Sequence, residues 1–389
     1  MIDSPKLRFK EFIGNWESIK LSDFSEIITS GSRDWAKYYA NDGDKFIRMT
    51  NLVRDGIRLN LEDLKFVKLP ESSTEGTRSS LQYGDILISI TAELGKLGWI
   101  PKNFGSAYIN QHTALVRLNN QINSKFVAYL LSTTVYNNKL NGLNDAGAKA
   151  GLNLSTIRQF KIKIPSKVEQ TKIADFLTTV DEKISQLNEQ HQLMIQYKKG
   201  VMQKIFNQEI RFKDDNGEDF GEWEEKILGE ISNPQQWKTI SSSDMTESGY
   251  PVFGANGYIG FYSEYNHENE TITVTCRGAT CGEVTLVKPK TYITGNSMSI
   301  DDIDEQKYNV KFIYYALCIR GFSDVITGSA QPQIVGSSIK KVKFLVPCMK
   351  EQSEIANFLT WIDQRIENLA QQLEQAKNWK KGLLQKMFV

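Results

Sequence analysis

Residues 165–206, which begin PSKVEQTKIADFL and end YKKGVMQKIF, return as residues 347–388, which begin PCMKEQSEIANFL and end WKKGLLQKMF. The offset is a constant 182 with no gap, and 18 of the 42 positions are identical. A duplication this close constrains the fold more than any other feature of the chain, because both copies must bury the same stripe. In the first copy Ile173, Leu177, Val180, Ile184, Leu187, His191, Met194, Lys198, Val201 and Ile205 recur at alternating steps of four and three. In the second, Ile355, Leu359, Ile362, Ile366, Leu369, Leu373, Ala376, Lys380, Leu383 and Met387 keep the same steps. That is a coiled-coil seam held for more than four heptads. Pro165 and Pro347 stand ahead of the helices, and Gly200 and Gly382 punctuate their last turns. The stretch from Glu169 to Lys199, about 30 residues at ~1.5 Å each, predicts a rod of roughly 45 Å.

One such helix cannot bury its stripe alone, whereas two can pair. An antiparallel pair would place one globule at each end of a common stalk. His191, Lys198 and Lys380 interrupt the seam and read as register devices or exposed ends. Phe176, Phe358 and Trp361 widen the stripe and, with Leu177 and Leu359, are candidates for contact with helices of another protein.

Weaker echoes precede the repeats. Arg8-Phe9-Lys10 leads to Gly14-x-Trp16-Glu17, and Arg211-Phe212-Lys213 leads to Gly221-x-Trp223-Glu224. Lys125-Phe126-x-x-Tyr129 parallels Lys311-Phe312-x-x-Tyr315, and Asn110 parallels Asn296. The order is therefore globule 1–164, spacer helix 165–206, globule 207–346 and spacer helix 347–389, with related but diverged globules. YGDILISITAELGKLGWI reads as strand, turn and strand, SAYINQHTALVRL as a further strand, and SKFVAYLLSTTVYNNKL and VKFIYYALCI as helices. The expected class is α+β (or α/β): two globules with mixed, mostly antiparallel sheets, joined by two long antiparallel coiled-coil helices in a pseudo-twofold arrangement.

Catalytic signatures are missing. There is no phosphate-binding G-x-x-x-x-G-K-[ST], and GANGYIG lacks the G-x-G-x-x-G spacing. The three histidines form no His-x-x-x-His pair, and His112 in INQHTALV reads as a satisfied strand residue. Asp219, Glu224 and Lys226 loosely mimic a nuclease cluster, but Glu224 aligns with Glu17 beside the repeated Trp and reads as a structural edge. The four cysteines contain no C-x-x-C pair, so neither a disulfide scaffold nor a structural zinc site is expected. No apolar run approaches 18 residues and MIDSPKLRFKEF has no apolar core, so a cytoplasmic protein without a membrane segment is expected. The pattern favours a binding protein with no cofactor of its own.

Two variable globules, each feeding a P-x-x-x-E-Q-x-x-I-A-x-F-L-x-x-x-D-x-x-I helix, resemble the specificity subunit of Type I restriction–modification systems (the HsdS family). The resemblance covers essentially the whole chain and is most specific at PSKVEQTKIADFL and PCMKEQSEIANFL. It implies that each globule is a target-recognition domain reading one half of a split, asymmetric sequence in double-stranded DNA. It implies that the helices set the gap and dock two modification subunits, which methylate adenine, and that ATP-dependent restriction subunits join that core. The chain itself would be non-catalytic. A bifunctional nuclease or methyltransferase with its own recognition stalk is the alternative, and a purely structural coiled-coil adaptor a third reading.

Charge is uneven. Residues 1–160 hold 20 basic and 16 acidic residues, net +4, while residues 207–346 hold 13 and 20, net −7. A negative second globule is an awkward partner for a polyanion. Base reading favours Arg, Lys, Asn and Gln in loops. The candidates are Arg33, Lys37, Arg48, Asn51, Arg54, Arg78 and Lys96 in the first globule, and Lys238, Asn256, Tyr258, Arg277, Gln331 and Gln333 in the second.

Overall fold

The computed structural model describes residues 5–71, 73–143, 151–328 and 331–388. The chain divides into two compact units, Met1–Leu187 with Gln372–Val389, and Asn188–Gln371. Each long helix thus contributes to both units.

In the first unit the strands are β1 (Glu17–Lys20), β2 (Ser25–Ser30), β3 (Tyr39–Ala40), β4 (Asp44–Ile47), β5 (Lys65–Val67), β6 (Ile86–Ser89), β7 (Leu97–Trp99), β8 (Ala107–Ile109) and β9 (Thr113–Leu118). There follow helices α1 (Ser124–Ser132), α2 (Thr134–Gly142) and α3 (Leu154–Gln159), strand β10 (Lys161–Ile164), and helix α4 (Lys167–Phe206). In the second unit come β11 (Glu224–Ile227), α5 (Leu228–Ile231), β12 (Asn233–Gln236), β13 (Tyr250–Gly254), β14 (Gly257–Tyr262), β15 (Thr271–Thr275), β16 (Val284–Val287), β17 (Tyr292–Ile293) and β18 (Ser297–Asp301). It closes with α6 (Val310–Arg320), α7 (Gly336–Ile339), β19 (Lys343–Val346) and α8 (Met349–Phe388).

The duplication legible in the helices extends to the sheets. The main sheet runs β2-β9-β6-β7 in one unit and β12-β18-β15-β16 in the other, which is the same order in equivalent strands. The second sheet, β3-β5-β4-β8 or β14-β13-β17, contains in each case one parallel pair, β4 with β8 and β13 with β17. A ribbon, β1–β10 or β11–β19, delivers the chain to its long helix. At equivalent positions Asn123 and Asn309 cap α1 and α6, accepting the Phe126 and Phe312 amides at 3.0 and 3.1 Å.

Three sequence expectations change in detail. The segment SAYINQHTALVRL is two strands in different sheets, broken where the Thr113 amide bonds back to the Asn110 carbonyl at 3.2 Å. His112 therefore lies in a turn, not a strand, although it is satisfied by Thr91 Oγ1 at 2.7 Å and Gln111 Nε2 at 2.9 Å. The SKFVAYLLSTTVYNNKL helix is two helices, because Thr133 ends α1 in extended backbone and its hydroxyl caps α2. Both long helices run through Gly200 and Gly382 to 40 residues, about 60 Å at ~1.5 Å per residue. An interior Gly costs only ~1 kcal/mol in helix propensity, and the turns beyond it bury Met202 and Ile205 on α4 and Leu383, Met387 and Phe388 on α8.

Each unit closes its core with parts of both helices. In the first, Ile173, Leu177 and Val180 of α4 and Leu383, Met387 and Phe388 of α8 join Phe126, Tyr129, Ile86 and Ile88. In the second, Met202 and Ile205 of α4 and Ile355, Leu359 and Ile362 of α8 join Phe312, Ile313, Ile272 and Val274. The direction is antiparallel within each. In the first unit Arg8 grips Glu169 while the neighbouring Leu7 amide bonds Lys386, and Asp181, further along α4, pairs with Lys380. In the second, Lys198 pairs with Asp363 at 2.5 Å, whereas Phe206 packs at a tilt against Phe312 beside the Asn309–Gln352 bond.

The identities of the repeat now have causes. Glu169 and Glu351 are buried and take bidentate bonds from Arg8 (2.7 and 2.7 Å) and Arg211 (3.1 and 2.7 Å). Gln170 and Gln352 accept the Asn123 and Asn309 amides at 2.9 and 2.8 Å and donate to the Pro165 and Pro347 carbonyls. Asp181 and Asp363 accept from Tyr129 and Tyr315, each at 2.7 Å, while Lys380 and Lys198 lie over those tyrosine rings. Burial and the adjacent carboxylate push both phenol pKa values far up, so they stay protonated donors. The lysines that interrupt the seam are therefore partners of a duplicated Tyr–Asp–Lys contact. Tyr129→Phe and Tyr315→Phe are each expected to cost ~1.5–3 kcal/mol, the value of a hydrogen bond to a charged group. Denaturant unfolding of the variants measures it, and a loss below about 0.5 kcal/mol would show the contact to be incidental.

Candidate nucleic-acid interface

The candidate residues fall on loops at one end of each main sheet, together with their neighbours. In the second unit the β13–β14 turn carries Asn256, and the β15–β16 connection carries Arg277. The hydroxyls of Thr275 and Thr280 donate to the Ala255 carbonyl at 3.2 and 3.1 Å, which docks that turn on the connection. Arg277 pairs through its backbone with Gln333, and the Gly278 amide bonds the Pro332 carbonyl at 3.1 Å. Asn256, Arg277 and Gln333, from three separate segments, thus come together, and all three side chains are exposed. Gln331 is exposed on the same third segment. Tyr258, exposed on β14, accepts the Lys288 amide at 3.2 Å. Lys238 is exposed, and its carbonyl accepts from Tyr292 at 3.1 Å.

The same frame exists in the first unit. The Ile90 amide bonds the His112 carbonyl and the Leu152 amide bonds the Ile90 carbonyl, as Cys276 does with Asn296 and Ile334. Thr91, bridged to Gly151, therefore holds the place of Arg277. Beside it Arg54 and Lys96 share Glu93 at 3.6 and 2.9 Å. Arg33, Lys37 and Arg78 form a second group around the buried Trp35. Arg33 and Lys37 flank it in sequence, Arg78 donates to the Ser30 carbonyl at 3.4 Å, and Gly76 sits against the Trp35 and Tyr108 rings. Gly31 lets this segment cross the β8 end, since a Cβ there would lie 1.9 Å from the Ile109 oxygen.

Some candidates are placed differently from the expectation of exposed contact. Asn51 is 1% exposed and builds its own loop, accepting the Arg48 amide at 2.9 Å and donating to the Asn60 carbonyl at 2.9 Å. Arg48 is half-buried and held by Asp63 at 2.8 Å. On the helices, Leu177 and Leu359 are fully buried in the cores, whereas of the other candidates Trp361 is exposed and Phe176 and Phe358 are half-buried. Phe9 packs on Phe176 and Phe212 on Phe358, at 5.8 and 5.7 Å, which explains the repeated Arg-Phe-Lys. Sequence reasoning missed Thr91, Gln111, His112 and Trp237 beside these loops. The sequence parallel of Asn110 with Asn296 is two residues out of register, because the Ile90 and Cys276 amides place His112 opposite Asn296, and the Thr113 and Ser297 amides place Asn110 opposite Thr294.

The negative charge of the second unit is segregated. Glu268, Glu270, Asp301, Asp302 and Glu305 surround the end of the sheet where β15 begins and β18 finishes, and Arg277 follows the other end of β15. Asp215, Asp219, Glu224 and Glu225 pair with Lys350, Lys213, Lys226 and Lys343. Glu224 and Lys226 are edge residues of β11, as expected for a structural pair. Among the described residues no group of three or more His, Cys, Asp or Glu is placed to hold a metal ion, and no helix is long and apolar enough to cross a membrane.

A duplicated frame with diverged, partly basic loops defines a two-module recognition protein rather than a catalytic centre. Residues 13–196 and 221–378 match the model of the Type I restriction modification DNA specificity domain, and the chain belongs to that family. It is 25% identical to the putative type I restriction enzyme MjaX specificity subunit of Methanocaldococcus jannaschii, over 97% of this chain and 94% of the relative. It is 28% identical to the EcoprrI specificity subunit of Escherichia coli, over 38% of this chain and 37% of that one. The crystal structure of a Type I restriction–modification S subunit from M. genitalium superposes over 99% of both chains with a TM-score of 0.65 at 18% identity, so the fold is shared. The family is one of non-catalytic recognition subunits, and the chain stands among them.

Proposed function

We propose that this chain selects the DNA sequence on which a Type I restriction–modification complex acts, each globule reading one half of a bipartite, asymmetric site. In this reading residues 1–164 and 207–346 are the target-recognition domains, and 165–206 and 347–389 are the spacer that sets the gap between half-sites. The observation that carries the proposal is a single frame built twice, with its loops changed: Thr91 against Arg277 at one architectural position. Equal frames with unequal loops suit two different half-site sequences, because base edges are read by side chains and phosphates by position. Two modification subunits are proposed to dock on the surfaces at Phe176 and at Phe358 and Trp361, one per copy of the repeat, with restriction subunits joining them. Lysines outside ion pairs would meet phosphates, and the complex would work in the cytoplasm.

Mapping methyladenine in cells with and without the gene tests this. The expected result is a split motif that vanishes with the gene and returns with it. An unchanged pattern would overturn the reading.

A further inference from the structure

The chain has twelve arginines. Nine of them donate to, or pair with, a carboxylate, carbonyl or hydroxyl of their own unit. Among the described residues, Arg33, Arg277 and Arg365 alone make no such contact. Arg365 lies on α8, whereas Arg33 and Arg277 lie on the loops of the candidate interface, one in each unit.

Arg277 combines a free head with a fixed base. The Thr275 amide bonds Glu283 at 2.9 Å, the Cys276 amide bonds Asn296 at 3.3 Å, and the Ile334 amide returns to Cys276 at 3.0 Å. From behind, Gln236 Nε2 holds both Cys276 Sγ at 3.0 Å and the Gly295 carbonyl at 2.8 Å. Four chain segments thus pin the backbone that presents an exposed, unengaged guanidinium. A phosphate needs only a positive charge nearby, which a mobile lysine supplies. A guanidinium on an immobile base meets the stricter demand of two parallel bonds to one base edge. In the major groove that edge is guanine, whose O6 and N7 both accept.

We propose that Arg277 reads a guanine in the half-site of the second unit. The proposal rests on the function proposed above and deepens it by naming a residue and a base. Arg33 has the same freedom in the first unit and serves as the control for the other half-site.

The test uses the modification complex reconstituted with this chain, acting on host genomic DNA, with methyladenine mapped for the parent and for Arg277→Ala, Arg277→Lys and Arg33→Ala. A G·C pair is expected in one half-site. Arg277→Ala should lower discrimination at that pair roughly 5- to 150-fold while every other position keeps its letter. Arg33→Ala should leave that half-site intact. Continued methylation by Arg277→Ala at relaxed sites would show that the variant folds. Three results would overturn the proposal while sparing the bipartite reading. These are a half-site without G·C, a motif unchanged in Arg277→Ala, or uniform weakening that Arg277→Lys fully restores, with the salt slope reduced by about one, as a phosphate contact gives. A parent complex that methylates no split motif would overturn both.

Discussion

Inserting one heptad into α4 and one into α8 is expected to widen the gap between the half-sites by about three base pairs and to leave the letters of both halves unchanged. Seven residues add ~10 Å of helix, and B-DNA rises ~3.4 Å per pair. A whole heptad preserves the seam, since the steps of four and three resume in phase. The insertions belong between Ile184 and Met194 and between Ile366 and Ala376, stretches that avoid the Asp181–Lys380 and Lys198–Asp363 pairs. Insertion of three or four residues should instead rotate one seam face and abolish methylation, because the stripe drifts off its partner. Methylome sequencing distinguishes the cases, and full activity with an unaltered gap would refute the ruler.

Arg8→Ala is expected to destabilise the first unit by ~3–5 kcal/mol, the cost of leaving a buried carboxylate without its partner. Glu169 is 1% exposed, and the guanidinium of Arg8 supplies both of its side-chain bonds. Arg211→Ala should cost ~1.5 kcal/mol less, a charged hydrogen bond being retained, because Trp223 Nε1 also donates to Glu351 at 3.1 Å. Trp16, at the matching place, makes no such bond among the described residues. Hydrogen exchange resolved by segment reads the two units separately, which a single melting curve for a two-unit chain does not. Equal losses in the two variants would show that Trp223 contributes nothing to Glu351.

The long helices were legible in the sequence because a seam of alternating fours and threes admits few other folds. The ends were not, since Gly200 and Gly382 look like stops until the packed turns beyond them are seen. Trp16, Trp223, Tyr129 and Tyr315 stood out as echoes, but their partners lie far along the chain and no local pattern names them. The loops were legible only as composition. Asn51 and Arg48 have the right chemistry for DNA and are taken up by their own loop, whereas Arg277 has the same chemistry and is left free. Local sequence does not separate these cases, because the difference is made by Asp63 and Asn60 on one side and Gln236, Asn296 and Gln333 on the other.

The first unit borrows its finishing pieces from the far end of the numbering. Phe388 packs on Phe126 at 5.3 Å and on Trp16 at 6.3 Å, and Leu383 and Met387 fill the same core. While the ribosome is still making the second globule, this apolar socket has no lid, and a nascent chain is expected to carry an uncovered apolar patch from residue 187 until the last turns of α8 are made. Contacts this distant along the chain close late, so the core of the first unit is expected to be completed only when the last turns of α8 have been made.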